Sequence, residues 1–501
     1  YRQQAFELDK KLGVIPANTV LPDRDPTVAP WDSLTPEQKK VYAHYMEVYA
    51  GYLTYTDHEF GRLLNYVKET GQADNTIVIA IIGDNGSSHS PRNGSFNGSI
   101  GRLKESEQVP EMLKNIEKFG TEHSDMDAPS GWTQATNAPF RLWKTDANAE
   151  GGTHNPMIIY YPKGIKEKGG IRNQYSHVND ITPTIIDLVG AKVPDVIKGY
   201  KQKPFEGTSL AYSINNPNAP DRHTVQYYEL RGKRAIYKDG WKASVYHVSG
   251  TDFADDVWEL YNLKEDFTER IDLAKKNPAK LKELQDLFDT EAWKYNVYPL
   301  IDGTEGRGAG GRERSVYGKA DSIILYPGVD QLLSFSGPQF VATSFSITAN
   351  VDIESNDNEG VLFSTGSEFD GLSLFIKDGK FQSAHNTGSI VQHLASDKPV
   401  TTGKHQLRFE LNYKGPGPAE VLSGTLRKSD KLNVDGGTEA IFIDGIKVGE
   451  RRIKAFEASY IGFYKDGINV GQDLNSPVTD EYESPFKFTG RLEKVVIRYK
   501  E

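Results

Sequence analysis

Two hard oxygen donors stand side by side in Gly83-Asp84-Asn85-Gly86, directly after an apolar run over residues 75–82. A carboxylate and an amide oxygen on a sharp turn suit a hard cation such as Ca2+ or Mg2+, which takes oxygen ligands. Asp-Asn-Gly is equally ordinary turn chemistry, so the dipeptide alone leaves both readings open. A second stretch, NAPFRLWKTDANAEGGTHNP, sets Lys144 between aromatic residues and a Gly-Gly turn, where a single cation could meet an oxyanion. Composition by itself reads Lys144 as a solvated surface lysine. Arg141, Glu150 and His154 share the stretch and read as structural or supporting groups.

These residues need elements to hold them. Thr35, Pro36 and Gln38 form a capping box with proline at the first helical position, and they predict a long helix within residues 33–71. Val41, Tyr42, Tyr45, Met46, Val48, Tyr49, Tyr52 and Leu53 recur at helical spacing, and Gly71 ends the pattern. The β-branched run 75–82 predicts a strand buried on both faces. Helix, strand and polar turn spell an α/β unit, and Asp84 and Asn85 fall at the strand's carboxyl end, where functional groups gather in open parallel sheets. Residues 87–138 are rich in Gly, Ser, Asn and charge and read as an insertion over that strand edge, with one short helix near 109–119. A second buried strand is expected over 156–161 and a helix over 180–189, ended by Gly190.

From Val225 the texture changes to a hairpin with an Asp239-Gly240 turn and a further strand, DVWELYNL, predicting a small antiparallel sheet. Residues 278–295 form a charged amphipathic helix, and DGTEGRGAGGRERS is a linker sequence. Beyond residue 320 come only short alternating strands separated by turns, the pattern of an antiparallel β-sandwich. The expected organisation is an α/β portion over 1–300 with a small subdomain over 225–300, a linker over 301–320, and an all-β sandwich over 321–501.

A chain of 501 residues holds at least two cores, and 37% hydrophobic with 26% charged residues fits a globular protein. The formal net charge of −10 argues against nucleic acid or an anionic membrane as partner, so an anionic substrate must be drawn by a local site. The sequence contains no Cys, which removes disulfides, thiolate metal sites and cysteine nucleophiles.

Five segments in order, WDSLTPEQKKVYAHYMEVYAGYLTYTDHEFGRLL, IVIAIIGDNG, NAPFRLWK with its EGG, HVNDITPTIIDLVG and DVWELYNLKEDFTERIDL, resemble the C-terminal half of arylsulfatases in the alkaline-phosphatase-like superfamily. The resemblance implies that Asp84 and Asn85 supply part of a Ca2+ site, with Mg2+ possible, and that Lys144 contacts the sulfate near the leaving-group oxygen. Asn rather than His beside the Asp fits one oxygen-bound Ca2+ better than a second zinc. Sulfatases of this kind hydrolyse sulfate esters with a formylglycine made within Cys/Ser-x-Pro-x-Arg, a motif this chain does not contain. Ser88-His-Ser-Pro-Arg92 has the wrong spacing. The resemblance therefore implies a partner, an N-terminal sulfatase half of about 250 residues, as a separate chain or cleaved fragment. It also implies a periplasmic or secreted protein whose export signal lies upstream of Tyr1. The competing readings are a phosphodiesterase or phosphonate hydrolase of the same superfamily, and a non-catalytic sulfatase-like protein that binds carbohydrate.

Other signals are weaker. Asp180 in His177-x-x-Asp180 reads as a helix cap rather than a site, and His58 as core or surface. Asn93-Gly-Ser and Asn97-Gly-Ser match glycosylation acceptors of a type that arises readily in such loops, and residues 352–360 read as an acidic turn. The sandwich resembles the extra domain of longer bacterial arylsulfatases and, loosely, laminin-G or lectin-type domains. Its Tyr460, Phe463 and Tyr464 either bind sugar or pack in a core.

Overall fold

The computed structural model describes residues 1–88, 93–97, 105–302, 320–333, 336–338, 340–388, 390–417, 434–458, 461 and 466–500. Through residue 302 the elements are α1 (Arg2–Leu12), α2 (Pro36–Glu69), β1 (Val78–Ile81), α3 (Glu105–Lys114), α4 (Ser130–Thr136), α5 (Glu150–Thr153), β2 (Met157–Tyr160), α6 (Ile181–Val189), β3 (Val196–Ile197), β4 (Tyr200–Lys201), α7 (Ala211–Ile214), β5 (Val225–Leu230), β6 (Lys233–Lys238), β7 (Trp241–Val245), β8 (Glu259–Asn262) and α8 (Pro278–Lys294). From residue 320 the described residues form β9 (Ser322–Leu325), β10 (Phe345–Ile353), β11 (Gly360–Ser367), β12 (Asp370–Lys377), β13 (Lys380–Asn386), β14 (Val391–Ala395), β15 (Gly403–Tyr413), β16 (Asp435–Ile443), β17 (Ile446–Lys454), β18 (Ile468–Val470) and β19 (Arg491–Tyr499).

The chain divides into two compact units. The first is Tyr1–Ser33, Tyr49–His89 and Ser130–Asp302, and the second is Leu34–Val48, Ser90–Pro129 and Gly303–Glu501. The expected linker over 301–320 lies almost entirely outside the described residues. The insertion differs from expectation, because Ser90–Pro129 groups with the C-terminal strands and not with the edge of β1. Polar bonds inside the second unit show the reason: the Asn97 amide donates to the Gly388 carbonyl at 3.1 Å, and His123 Nδ1 lies 2.8 Å from Glu368.

Helix α2 begins at the capping box that the sequence spells. The Gln38 N–H donates to Thr35 Oγ1 at 3.2 Å, and the Thr35 N–H donates to Gln38 Oε1 at 2.9 Å. The strand expectation fails in two respects. β1 pairs antiparallel with β2, in a two-stranded sheet, and neither strand is buried on both faces. Ile81, Ile82, Ile158 and Tyr160 are 43%, 59%, 56% and 45% exposed. Sequence composition encodes a two-faced burial that no described element supplies.

The rest of the first unit follows its sequence closely. Strands β5 to β8 form an antiparallel meander in chain order, and α8, with Pro278 at its start, lays Leu284, Phe288 and Ala292 onto Ile236, Ala243 and Leu260. All six of these side chains are fully buried. Gly190 closes α6 in a left-handed conformation at φ 68°.

The second unit is built on two antiparallel sheets, a six-stranded one in the order β17-β16-β15-β10-β19-β9 and a five-stranded one in the order β14-β13-β12-β11-β18. Ile347, Phe409 and Ile497 of the first share one apolar cluster with Phe363, Leu374 and Phe381 of the second. Alternation along β10, which buries Ile347, Ala349, Val351 and Ile353 and leaves Thr348, Asn350 and Asp352 partly exposed, sends one face of that strand into the core. Residues 352–360 form a turn in which Asn358 Oδ1 accepts the N–H groups of Glu354 and Ser355 at 2.8 and 3.0 Å. Among the described residues no helix is long and apolar enough to cross a membrane.

Candidate active site

Asp84 and Asn85 follow β1 on an exposed turn, where the Asn85 amide donates to Asp84 Oδ1 at 2.7 Å. The Asn155 side chain, with its amide oriented to satisfy both groups, grips the Asn85 backbone by donating to its carbonyl at 2.9 Å and accepting its N–H at 3.3 Å. Gly86 then passes so close to the Glu150-Gly151-Gly152 segment that a Cβ would lie 1.7 Å from the Gly151 carbonyl oxygen. Only glycine permits that approach.

Further hydrogen bonds lace the two stretches together. The Gly86 N–H donates to Gly152 O at 3.1 Å, and the Lys144 N–H donates to Ser87 O at 3.2 Å. Asn137 accepts the Ser87 N–H at 2.9 Å while its amide donates to Leu142 O and Gly151 O, both at 2.8 Å. The Asp84-Asn85 pair and Lys144, far apart in sequence, therefore sit on interlocked loops, and the Asp84 and Lys144 side chains are exposed. Lys144 is flanked by Leu142 at φ 58° and Thr145 at φ 78°, left-handed positions for non-glycine residues and, for a β-branched threonine, a marked departure.

Beneath this loop lies a buried ion cluster. The fully buried ammonium of Lys242, from β7, is 2.8 Å from Glu150 Oε1 and 2.8 Å from Glu269 Oε1. Glu269 Oε2 accepts the Glu150 N–H at 2.9 Å, Arg141 donates to the Glu269 carbonyl, and His154 Nδ1 meets Glu150 Oε2 at 2.8 Å. Burial works against the ammonium, but the two carboxylates outweigh it and hold Lys242 well above the ordinary lysine value. Burial also raises both carboxyls. For Glu150, Lys242 and His154 reverse this and bring it well below the usual range, whereas Glu269 stays raised. Arg141, Glu150 and His154 thus act as supports, as their sequence context suggested.

Asp180 is fully buried and satisfies three donors: the His177 N–H at 2.8 Å, the Thr208 N–H at 2.7 Å and His223 Nδ1 at 2.8 Å. It stands at the start of α6, but its side chain makes no cap bond to that helix: in the preceding turn His177 is the cap and Asp180 the carboxylate that closes the capping box, and it pairs with His223, which sequence reasoning missed. Asn93 and Asn97 are buried, at 7% and 4% exposure, which disfavours glycan attachment in this fold. Residues 89–92 of the Ser88-His-Ser-Pro-Arg92 stretch, and Tyr460, Phe463 and Tyr464, lie outside the described residues.

Asp84 and Asn85 offer hard oxygens of the type Ca2+ takes, but about two of the six to eight it needs. Among the described residues no group of three or more His, Asp or Glu side chains completes such a shell. The donors fit the ion in kind and supply only part of a site.

The family model described as Sulfatase matches residues 19–191, and the one described as N-sulphoglucosamine sulphohydrolase, C-terminal, matches residues 145–294. The chain belongs to the sulfatase family. An uncharacterized sulfatase of Schizosaccharomyces pombe is 34% identical over 293 residues, covering 56% of this chain and 50% of that protein. An arylsulfatase of Klebsiella aerogenes is 29% identical over 236 residues, 46% of this chain and 47% of the relative. An N-acetylglucosamine-6-O-sulfatase of Bacteroides thetaiotaomicron is 25% identical over 263 residues, covering 51% and 37%. This sulfatase-family chain spans about half the length of the first two curated relatives and less of the third. The matched stretches of the sulfatase models include all three candidate site residues, Asp84, Asn85 and Lys144, and the second model also includes Lys242 and Glu269.

Proposed function

We propose that this chain supplies one part of the active site of an arylsulfatase-like hydrolase, which cleaves a sulfate monoester with water to give an alcohol or phenol and sulfate. The observation that carries the reading is the interlocking of Lys144 with the Asp84-Asn85 turn through Ser87, which joins the loop bearing an exposed lysine to the turn bearing two hard oxygen donors. In this reading Asp84 and Asn85 contribute to a Ca2+ site, with Mg2+ a weaker fit to a loosely organised set of oxygens. When bound, the ion neutralises charge on the sulfate oxygens as a Lewis acid. The Lys144 ammonium stands near the leaving oxygen and offsets the negative charge that builds there as the S–O bond breaks.

The nucleophile, a formylglycine, and the remaining metal ligands belong in this reading to an N-terminal sulfatase half that acts together with this chain. The exposed apolar surface of β1 and β2 supports that partner. So do Tyr52, Leu53, Tyr55, Leu63 and Tyr66 of α2, which are 46–65% exposed. The two-sheet unit is read as an all-β sandwich of laminin-G or lectin type, and the location as periplasmic or secreted. The test is to produce the chain together with that half and to assay p-nitrophenyl sulfate and p-nitrophenyl phosphate with and without Ca2+. Calcium-dependent sulfate release that Asp84→Ala removes supports the reading. Preference for the phosphate ester, or activity indifferent to Asp84→Ala, refutes it.

A further inference from the structure

The loop that carries Lys144 is bent against its own preference. Leu142 and Thr145 are left-handed on either side of the lysine, and Glu269, which receives the loop from below, is left-handed too at φ 55°. Non-glycine residues persist in such conformations only where their surroundings over-determine them. In this loop Asp146 is held by Lys233 and the two ends are held around one buried ammonium. Lys242 Nζ sits 2.8 Å from a carboxylate oxygen of Glu150 and 2.8 Å from one of Glu269, with no exposed surface. Glu150 opens the short helix α5 that contains Gly151 and Gly152, so fixing Glu150 fixes the two glycines on which Gly86 rests.

The chain of consequence is continuous. Lys242 projects from the meander, whose neighbouring Ala243 and Val245 are fully buried, and so provides a rigid base. Glu269 binds both the Lys242 ammonium and the Glu150 N–H, and its carbonyl takes the Arg141 guanidinium. Those contacts clamp residues 141–150 at both ends, leaving Lys144 at the top of the arch between them. The Gly86 and Ser87 backbone bonds pass the same constraint to the Asp84-Asn85 turn.

We infer that Lys242, with Glu269, is a positioning residue: its buried double ion pair holds the strained 141–150 arch and the attached Asp84-Asn85 turn in one fixed arrangement. Lys242 touches neither exposed candidate site group. It acts through Glu150 and Glu269, and from them through Gly151, Gly86 and Arg141. The value of this arrangement for catalysis rests on the sulfate-ester reading, whereas the positional claim stands on geometry alone.

Hydrogen exchange read by mass spectrometry on the full chain tests it. In Lys242→Met, amides of residues 84–88 and 141–153 should exchange faster by on the order of tenfold or more, while β5, β6 and β7 keep their protection. Uniform loosening of the whole first unit would reduce Lys242 to a general stabiliser and overturn the proposal. Unchanged exchange at 84–88 would overturn it too. Should Lys242→Met fail to fold, Glu269→Gln carries the test, because it keeps the side chain's shape and weakens the same clamp, with the same two outcomes. Once the chain is completed by its partner half, a double-mutant cycle reads the functional consequence. Lys242→Met should lower kcat for p-nitrophenyl sulfate in the native background and cost clearly less when Lys144 is already Ala, the remainder being its effect through the Asp84-Asn85 turn. Local loosening without any activity in the completed protein would leave the positional claim standing and sink the sulfatase reading.

Discussion

The Lys144 backbone N–H donates to the Ser87 carbonyl at 3.2 Å, joining a loop that offers a cation to a turn that offers two oxygen donors. That bond uses only backbone atoms, so the Lys144 side chain can be changed without disturbing the junction. The consequences divide into chemistry, cation binding, packing and pH.

Lys144→Ala should leave unfolding unchanged within about 0.5 kcal/mol, as for an exposed substitution. In the completed enzyme kcat for an aryl sulfate should fall roughly 100-fold, about 2.7 kcal/mol, as when one stabilising donor is removed from a developing anion. Steady-state kinetics beside a urea melt checks both halves of the statement.

Chelation with EGTA should abolish activity and added Ca2+ should restore it. In Asp84→Ala the Ca2+ concentration giving half-maximal rate should rise by about tenfold or more. A calcium titration of the rate measures this directly.

Gly86→Ala pushes a methyl group to 1.7 Å from the Gly151 oxygen, and backbone on both sides must move. A loss of roughly 1–3 kcal/mol is expected, read from the midpoint of urea unfolding. Activity should fall further than stability, since the displaced backbone is the one that seats both loops.

The Asp180–His223 pair makes a pH statement. Burial alone would raise the Asp180 carboxyl, but bonds from His223 and two backbone N–H groups lower it, so its stabilisation is present above about 3.9 and fades as pH falls through the folded value. Burial alone would lower His223, but the bond to Asp180 raises it, so its stabilisation is present below about 6.5 and is lost as pH rises through the folded value. The pair therefore contributes most between about pH 4 and 6.5. His223→Gln should flatten the decline in stability above that window, measured by thermal melts across pH.

The readings made from sequence separate by range. The Thr35-Gln38 capping box, the Asp239-Gly240 hairpin and the Pro278 helix start all appear in the structure, because each depends on residues within one turn. The apolar run of β1 was legible as a strand but not as an exposed, antiparallel one, since an apolar pattern records the burial a strand needs and not the neighbour that provides it. Lys242 reads in sequence as one more strand lysine. Its partner Glu150 is 92 residues away, and nothing local marks the pair. His223 is likewise 43 residues from Asp180, so only the capping half of that cluster could be read.

The second unit is assembled from three separated stretches, Leu34–Val48, Ser90–Pro129 and Gly303–Glu501. During synthesis the first two emerge long before the strands they join, so Asn97 and His123 must wait for most of the chain before Gly388 and Glu368 can meet them. Closing contacts of that sequence separation is slow, and the waiting segments are open to capture by chaperones or by other nascent chains. The all-β part is for the same reason a poor candidate for exchange between proteins as a cassette. A cut after residue 302 would remove the strands and leave behind two pieces of the unit they complete.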